Sequence, residues 1–412
     1  MTIGERIRER RKQLRLSQGG LGKELSKARW GVTDGCSAHT VYRWETGQRT
    51  PQDWRPYLEQ VLGIDLSGYG ETTASDAGTT DVEGLVPPVD RRMFVGASAV
   101  AGIAMTTPKA TAQGRRVGQA DVARAGERLV ALRRLDDFSG GVSVYPKVVE
   151  EIQDLTALAG GTYGESVARG LLSALAELYQ FASWTAFDAG RLPQASKLAQ
   201  AAASTANQAG NQTLAATAMS EWSYITASSG SPREGIAMAQ ASMANAPRNV
   251  LPAACVVLAD RLAWASARAG DAAGVDRALG LSADAHDRRD RSREAEPDTV
   301  YWVNRDESGI MAGRCWAELR HPKKAVPILE GLTAPYDDTH AREVALYACW
   351  LAGSYLDAGA VDEAASTATR AVNLSFHTAS PRLNQIVTAT IARFEPHRGS
   401  ESVRDLLATY AA

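Results

Sequence analysis

The chemistry most legible in this 412-residue chain lies between Ser17 and Arg49. Ser17 is placed to cap a helix, which leaves Gln18 at an exposed helix start, where unpaired backbone N–H groups and the helix dipole favour a phosphate. Ser37 can cap a later helix that opens Ala38-His39-Thr40-Val41-Tyr42-Arg43-Trp44. With Val41 and Trp44 turned inward, Ala38, His39, Tyr42 and Arg43 share the outer side, where side chains can reach base edges in the major groove of double-stranded DNA. Arg43 is the candidate for a bidentate contact to guanine. Arg49 and the arginines of the first helix suit phosphates, which fix register without reading sequence. The first helix taken alone reads better as a solvated basic surface; the ordered set of residues is what points to nucleic acid.

Other chemistries find no foothold. The chain has no H-E-x-x-H, no G-x-x-x-x-G-K-[ST] and no G-x-S-x-G, so neither a nucleophile–base pair nor a phosphate loop is suggested, and no enzyme, cofactor or metal is expected. The histidines at 39, 286, 321, 340, 377 and 397 are scattered and read as surface or capping residues. Cys36, Cys255, Cys315 and Cys349 form no close pair, which suits a reducing, cytoplasmic setting. Asp90-Arg91-Arg92-Met93-Phe94 opens an uncharged run, 93–108, that resembles a twin-arginine export signal. Behind a basic head, and too short to span a bilayer, it reads instead as a small-residue helix that docks on the rest of the chain or on a second copy.

The elements that must position these residues follow from charge and periodicity. Residues 1–70 carry twelve Lys/Arg and eight Asp/Glu, a net +4, whereas the remainder carries 33 and 39, a net −6. A basic head on an acidic body fits a nucleic-acid-binding head. Ile7, Leu14 and Leu16 line a first helix, Leu21 and Leu25 a second, Val41 and Trp44 a third, and Leu58, Val61 and Leu62 a fourth. Residues 67–90 are rich in Gly, Ser, Thr and acid, as a flexible linker is. Beyond Val117 the chain is Ala-rich, and a short phrase recurs: a Gly-centred turn near 190, 230, 270 and 359, with a degenerate copy near 320, each followed by a small or compact residue (Ala195, Gly235, Val275, Ala364 and Ala325). That describes antiparallel helix pairs packed closely at their crossing, stacked into a solenoid with a concave face. Aromatic residues such as Trp184, Tyr224, Trp302 and Trp350 would pack between helices, with a few left to line a pocket. The charged stretch 284–298 reads as a solvated, mobile loop rather than an acidic docking site.

Glu5 to Gln18 and Thr40 to Pro51 resemble the first two helices, the recognition helix and the closing loop of the phage-repressor (Xre-like) helix-turn-helix family, carried by Leu16-Ser17-Gln18 and Trp44-Glu45-Thr46-Gly47 with Pro51. The segment SKARWGVTDGC between Leu25 and Ser37 exceeds that family's tight turn, and either extends helix two or forms a wing. Residues 165–395 resemble tetratricopeptide repeats with lengthened helices. The layout as a whole is similar to actinobacterial Xre-type regulators with a repeat domain. The resemblance implies an all-α fold: a helix-turn-helix domain over 1–66, a linker over 67–90, an apolar junction over 91–116 and a TPR-like α-solenoid over 117–412. It also implies a sequence-specific transcriptional regulator, a homodimer held by the repeat domain, with a peptide, small molecule or protein as effector. The alternative is a solenoid adaptor whose head no longer reads DNA.

Overall fold

The computed structural model describes residues 2–30, 38–45, 51, 54–66, 116–333, 340–376, 378 and 380–411. Every named element in them is helical, and the chain divides into two units, Met1–Thr80 and Asp81–Ala412. The 67–90 segment, residues 91–115, Ser37, Arg49 and Cys36 lie outside the described residues.

The first unit holds α1 (Ile3–Gln13), α2 (Gln18–Trp30), α3 (Ala38–Glu45) and α4 (Arg55–Leu62). Thr2 caps α1 in a reciprocal box with Glu5, and Ser17 caps α2 by accepting from the Gly20 N–H at 2.9 Å. Ile7, Leu21, Leu25, Val41, Trp44, Leu58 and Leu62 close a single core. Leu14 does not join it. Helix α1 ends at Gln13, so Leu14 falls on the turn and is 40 % exposed. Of the two readings for the segment after Leu25, helix two does lengthen, running to Trp30; residues 31–37 lie outside the described set.

The second unit begins with α5 (Gln119–Ser139) and α6 (Gly141–Ala159) and continues in pairs: α7 (Glu165–Asp188) with α8 (Leu192–Gln208), α9 (Gln212–Ser228) with α10 (Pro232–Asn245), α11 (Pro252–Arg268) with α12 (Ala272–Arg291), α13 (Arg305–Glu318) with α14 (Pro322–Thr333), and α15 (Ala341–Ala358) with α16 (Val361–Ser375). Helices α17 (Pro381–Ala392) and α18 (Glu401–Ala411) end the chain. The turns stand where the recurring phrase puts them. Gly190, Gly230, Gly270 and Gly359 have positive φ, and at each the next N–H bonds back five residues, as Asp271 does to the Ser266 carbonyl at 2.9 Å. The residue five on is buried at every crossing; a Cβ on Gly235 would lie 2.8 Å from that of Ala227.

The odd-numbered helices pack on one another in order, α5 to α17, as an inner row, with the even-numbered ones alternating between them. Among the described residues this row bends back toward its start. Its last members return against its first, because Asp188 at the end of α7, fully buried, accepts from the Gly141 N–H (2.9 Å), Ser380 Oγ (3.0 Å) and Arg342 Nη1 (3.2 Å). Arg342 also reaches Asp136 of α5 at 3.3 Å. The charged stretch 284–298 departs from a mobile loop: its first part is the end of α12, Arg289 pairs with Glu296, and Asp298 binds Arg133 and Arg134 of α5. Among the described residues no helix is long and apolar enough to cross a membrane.

Candidate functional site

On the first unit, burial of Val41 and Trp44 turns Tyr42 outward, 42 % exposed. Ala38, His39, Thr40 and Arg43 share α3 with it. Glu45 at the end of α3 is 4 % exposed and ties the three first helices together. It accepts from Arg11 at 2.5 and 3.1 Å and from Gln18 Nε2 at 2.9 Å, and its backbone carbonyl accepts from Arg8 at 3.1 Å. Burial alone would raise its pKa, but the hydrogen bonds from Arg11 and Gln18 outweigh this and hold it below the usual carboxylate range. Gln18 therefore has a second role besides the start of α2, and Arg8, Arg10 and Arg11 are engaged inside the unit; Arg10 caps the Leu62 carbonyl.

On the second unit, the inner row surrounds a cavity of about 460 Å³, within the range of small-molecule sites. Its walls come from the odd-numbered helices, from the segment 299–304 and from His340 at the start of α15. The structure thus sorts the repeat aromatics: Trp184, Tyr224, Trp302, Tyr347 and Trp350 line the cavity, whereas Trp222 and Trp264 do not and donate to Ser196 and Ser228. Tyr224 is central. Its hydroxyl accepts from Arg314 at 2.9 Å and Arg382 at 3.1 Å, and the Arg261 guanidinium lies 4.4 Å from its ring centroid. Burial disfavours its phenolate, but Arg314, Arg382 and Arg261 win, and its pKa falls to about 8.

Arg261 and Glu221 behave oppositely to Arg11 and Glu45. Arg261 is 8 % exposed, and its Nε finds no hydrogen-bond partner among the described residues; the same is true of Arg314 Nε, Glu221 Oε1 and Asp260 Oδ1. Burial pushes Glu221 up to about 7, only partly opposed by Arg261. Asp260 is likewise raised by burial, against the hydrogen bond from Ser308. His286 is buried rather than superficial, and its Nε2 lies 2.9 Å from Ser308 Oγ, which donates to Asp260 at 2.8 Å. A nucleophilic serine must hand its proton to the histidine. Ser308 donates to Asp260 instead, so the trio joins α11, α12 and α13.

Sequence reasoning missed the five buried arginines of this cavity, Arg133, Arg261, Arg314, Arg342 and Arg382. The available signal was an arginine on the first helix of a pair about one turn from a tryptophan, as in Arg261 with Trp264. Among the described residues no group of three His, Cys, Asp or Glu side chains is arranged to hold a metal. Comparison with family models, curated proteins and solved structures found no match to this chain.

Proposed function

We propose that the chain is an Xre-like, sequence-specific DNA-binding regulator whose TPR-like α-solenoid takes a small effector. The observation that carries the DNA reading is α3, which buries Val41 and Trp44, shows Tyr42 on its other side and is pinned to α1 and α2 by Glu45, on a head of net charge +4. Such a helix suits major-groove readout from Ala38, His39, Thr40, Tyr42 and Arg43, with Ser37 at its start and Arg49 on phosphate. The cavity supports a small molecule over a peptide or protein as effector, because the inner row bends back toward its start. No chemistry of catalysis enters this reading. Two heads on two half-sites need a homodimer, and the repeat unit is the part large enough to hold it; light scattering of a chain lacking residues 1–70 should still give a dimer.

The test is selection of full-length protein on random duplex DNA, followed by Arg43→Ala. Loss of about 1–3 kcal/mol with relaxed preference at one base position supports the reading. Equal loss on every sequence makes Arg43 a phosphate contact, and absence of any selected site favours the adaptor. One observation leans that way: Arg8, Arg11 and Gln18, which a phosphate would otherwise recruit, already serve Glu45.

A further inference from the structure

We propose that the cavity of the second unit binds a small organic acid with a flat, apolar body, its carboxylate held by Arg261 and Arg314. This deepens the effector part of the proposed function and rests on it only for its regulatory meaning.

Charge and shape together select such a ligand. An arginine stays protonated at any ordinary pH, so a buried one must be answered by an anion or by several acceptors. Arg133 is answered by Glu177 and Asp298, and Arg342 by Asp136, Asp188 and Glu343. Arg261 and Arg314 are not. Among the described residues Arg261 has ring faces only, Tyr224 at 4.4 Å and Trp302 at 5.4 Å, and Arg314 has the Tyr224 hydroxyl with Trp264 and Trp350 at 4.0 and 4.1 Å. Both are more than nine-tenths buried, both keep an unpartnered Nε, and both line the same cavity. Neither of the nearby acids, Glu221 and Asp260, hydrogen-bonds either arginine, and burial disfavours the charged form of both. A guanidinium that lies against ring faces and carries no carboxylate can take one in a two-point fork.

The remaining walls define the body of the ligand. Phe181, Val257, Met311 and Leu346 offer no hydrogen bond, and Trp184, Trp302 and Trp350 offer flat faces.

The experiment uses full-length protein without DNA and matched triplets that share one ring: indole-3-acetate, indole-3-acetamide and tryptamine, then the carboxylate, amide and aminomethyl forms of naphthalene. Binding at up to millimolar concentration is read by calorimetry and by tryptophan fluorescence. Carboxylates should bind at least about tenfold more tightly than their amides and amines. Arg261→Gln and Arg314→Gln should each erase that preference, while Arg277→Gln, exposed on α12, should not. Preference for the amines, equal binding of acid and amide, or no binding by any member overturns the proposal. The preference on the unaltered protein decides even if a variant fails to fold. Failure to select a DNA site would sink the regulator reading and leave this result standing.

Discussion

Glu45 of the first unit and Glu221 of the second are both glutamates, both more than nine-tenths buried and both close to arginine, yet they titrate in opposite directions. Glu45 is held below the usual range and Glu221 is pushed up to about 7. Burial penalises both. What differs is satisfaction: Glu45 accepts three hydrogen bonds, two of them from one guanidinium, whereas Glu221 keeps an oxygen without a partner and receives only a 3.5 Å contact from Gln180. The first arrangement is a finished joint between helices. The second is unfinished as protein structure, which is what a binding cavity must be.

If satisfaction decides, the largest loss should come from the most satisfied acid of the larger unit. Asp188→Ala removes one of the three acids that answer Arg342, and leaves the buried Gly141 N–H and Ser380 hydroxyl without their acceptor. We expect a loss of about 3–5 kcal/mol, read by denaturant unfolding of the full chain, with earliest hydrogen exchange in α5, α7 and α17. A change under about 1 kcal/mol would show that the return of the row onto its start does not depend on this clasp.

The comparison itself is tested by one substitution made twice. Glu45→Gln removes the charge that Arg11 and Gln18 bind, and should destabilise the first unit by about 2 kcal/mol at neutral pH. Because the folded-state pKa of Glu45 is lowered, its contribution is present above 4.5 and lost as pH falls below that value. Glu221→Gln should do the reverse. Its folded-state pKa lies above 4.5, so the native protein loses stability as pH rises from 4.5 to about 7. The variant has no such loss, and should be more stable above pH 7 by up to about 3 kcal/mol. Hydrogen exchange resolved to α2–α3 and to α9–α11 separates the two effects. Equal signs in both units would break the contrast.

Local geometry was legible and long-range closure was not. Gly190, Gly230, Gly270 and Gly359 announce their turns because the left-handed backbone excludes most side chains, and that rule acts within six residues. Val41 and Trp44 announce the inner face of α3 because helical period alone selects it. By contrast, Asp188 and Arg342 lie 154 positions apart, and nothing near either one tells that they meet. The cavity arginines were hidden for the same reason: an arginine on a helix reads as solvated until a second helix is known to cover it. His286 and the 284–298 stretch misled because charge density suggests solvent, whereas Asp298, Arg289 and His286 each find a partner inside the unit.

The smallest expected effect compares two arginines in one backbone conformation. Arg15, after α1, and Arg320, after α13, both have φ of 55°, and both sit in the turn that glycine fills elsewhere. In each, the next N–H bonds back five residues: Leu16 to the Arg11 carbonyl at 3.1 Å and His321 to that of Trp316 at 2.9 Å. A left-handed non-glycine residue costs about 1 kcal/mol, so Arg15→Gly and Arg320→Gly should each stabilise their unit by about 0.5–1 kcal/mol. The side chains then part the two cases. Arg15 is exposed on the basic head, and strain retained at an exposed cation is what a phosphate contact would justify. If the head binds DNA as proposed, Arg15→Gly should weaken that binding alike on all sequences and lower the salt slope by about one, while Arg320→Gly leaves it unchanged. Matching melting gains with no change in salt dependence for either would show that Arg15 faces solvent only, and would move the phosphate contacts elsewhere on the head.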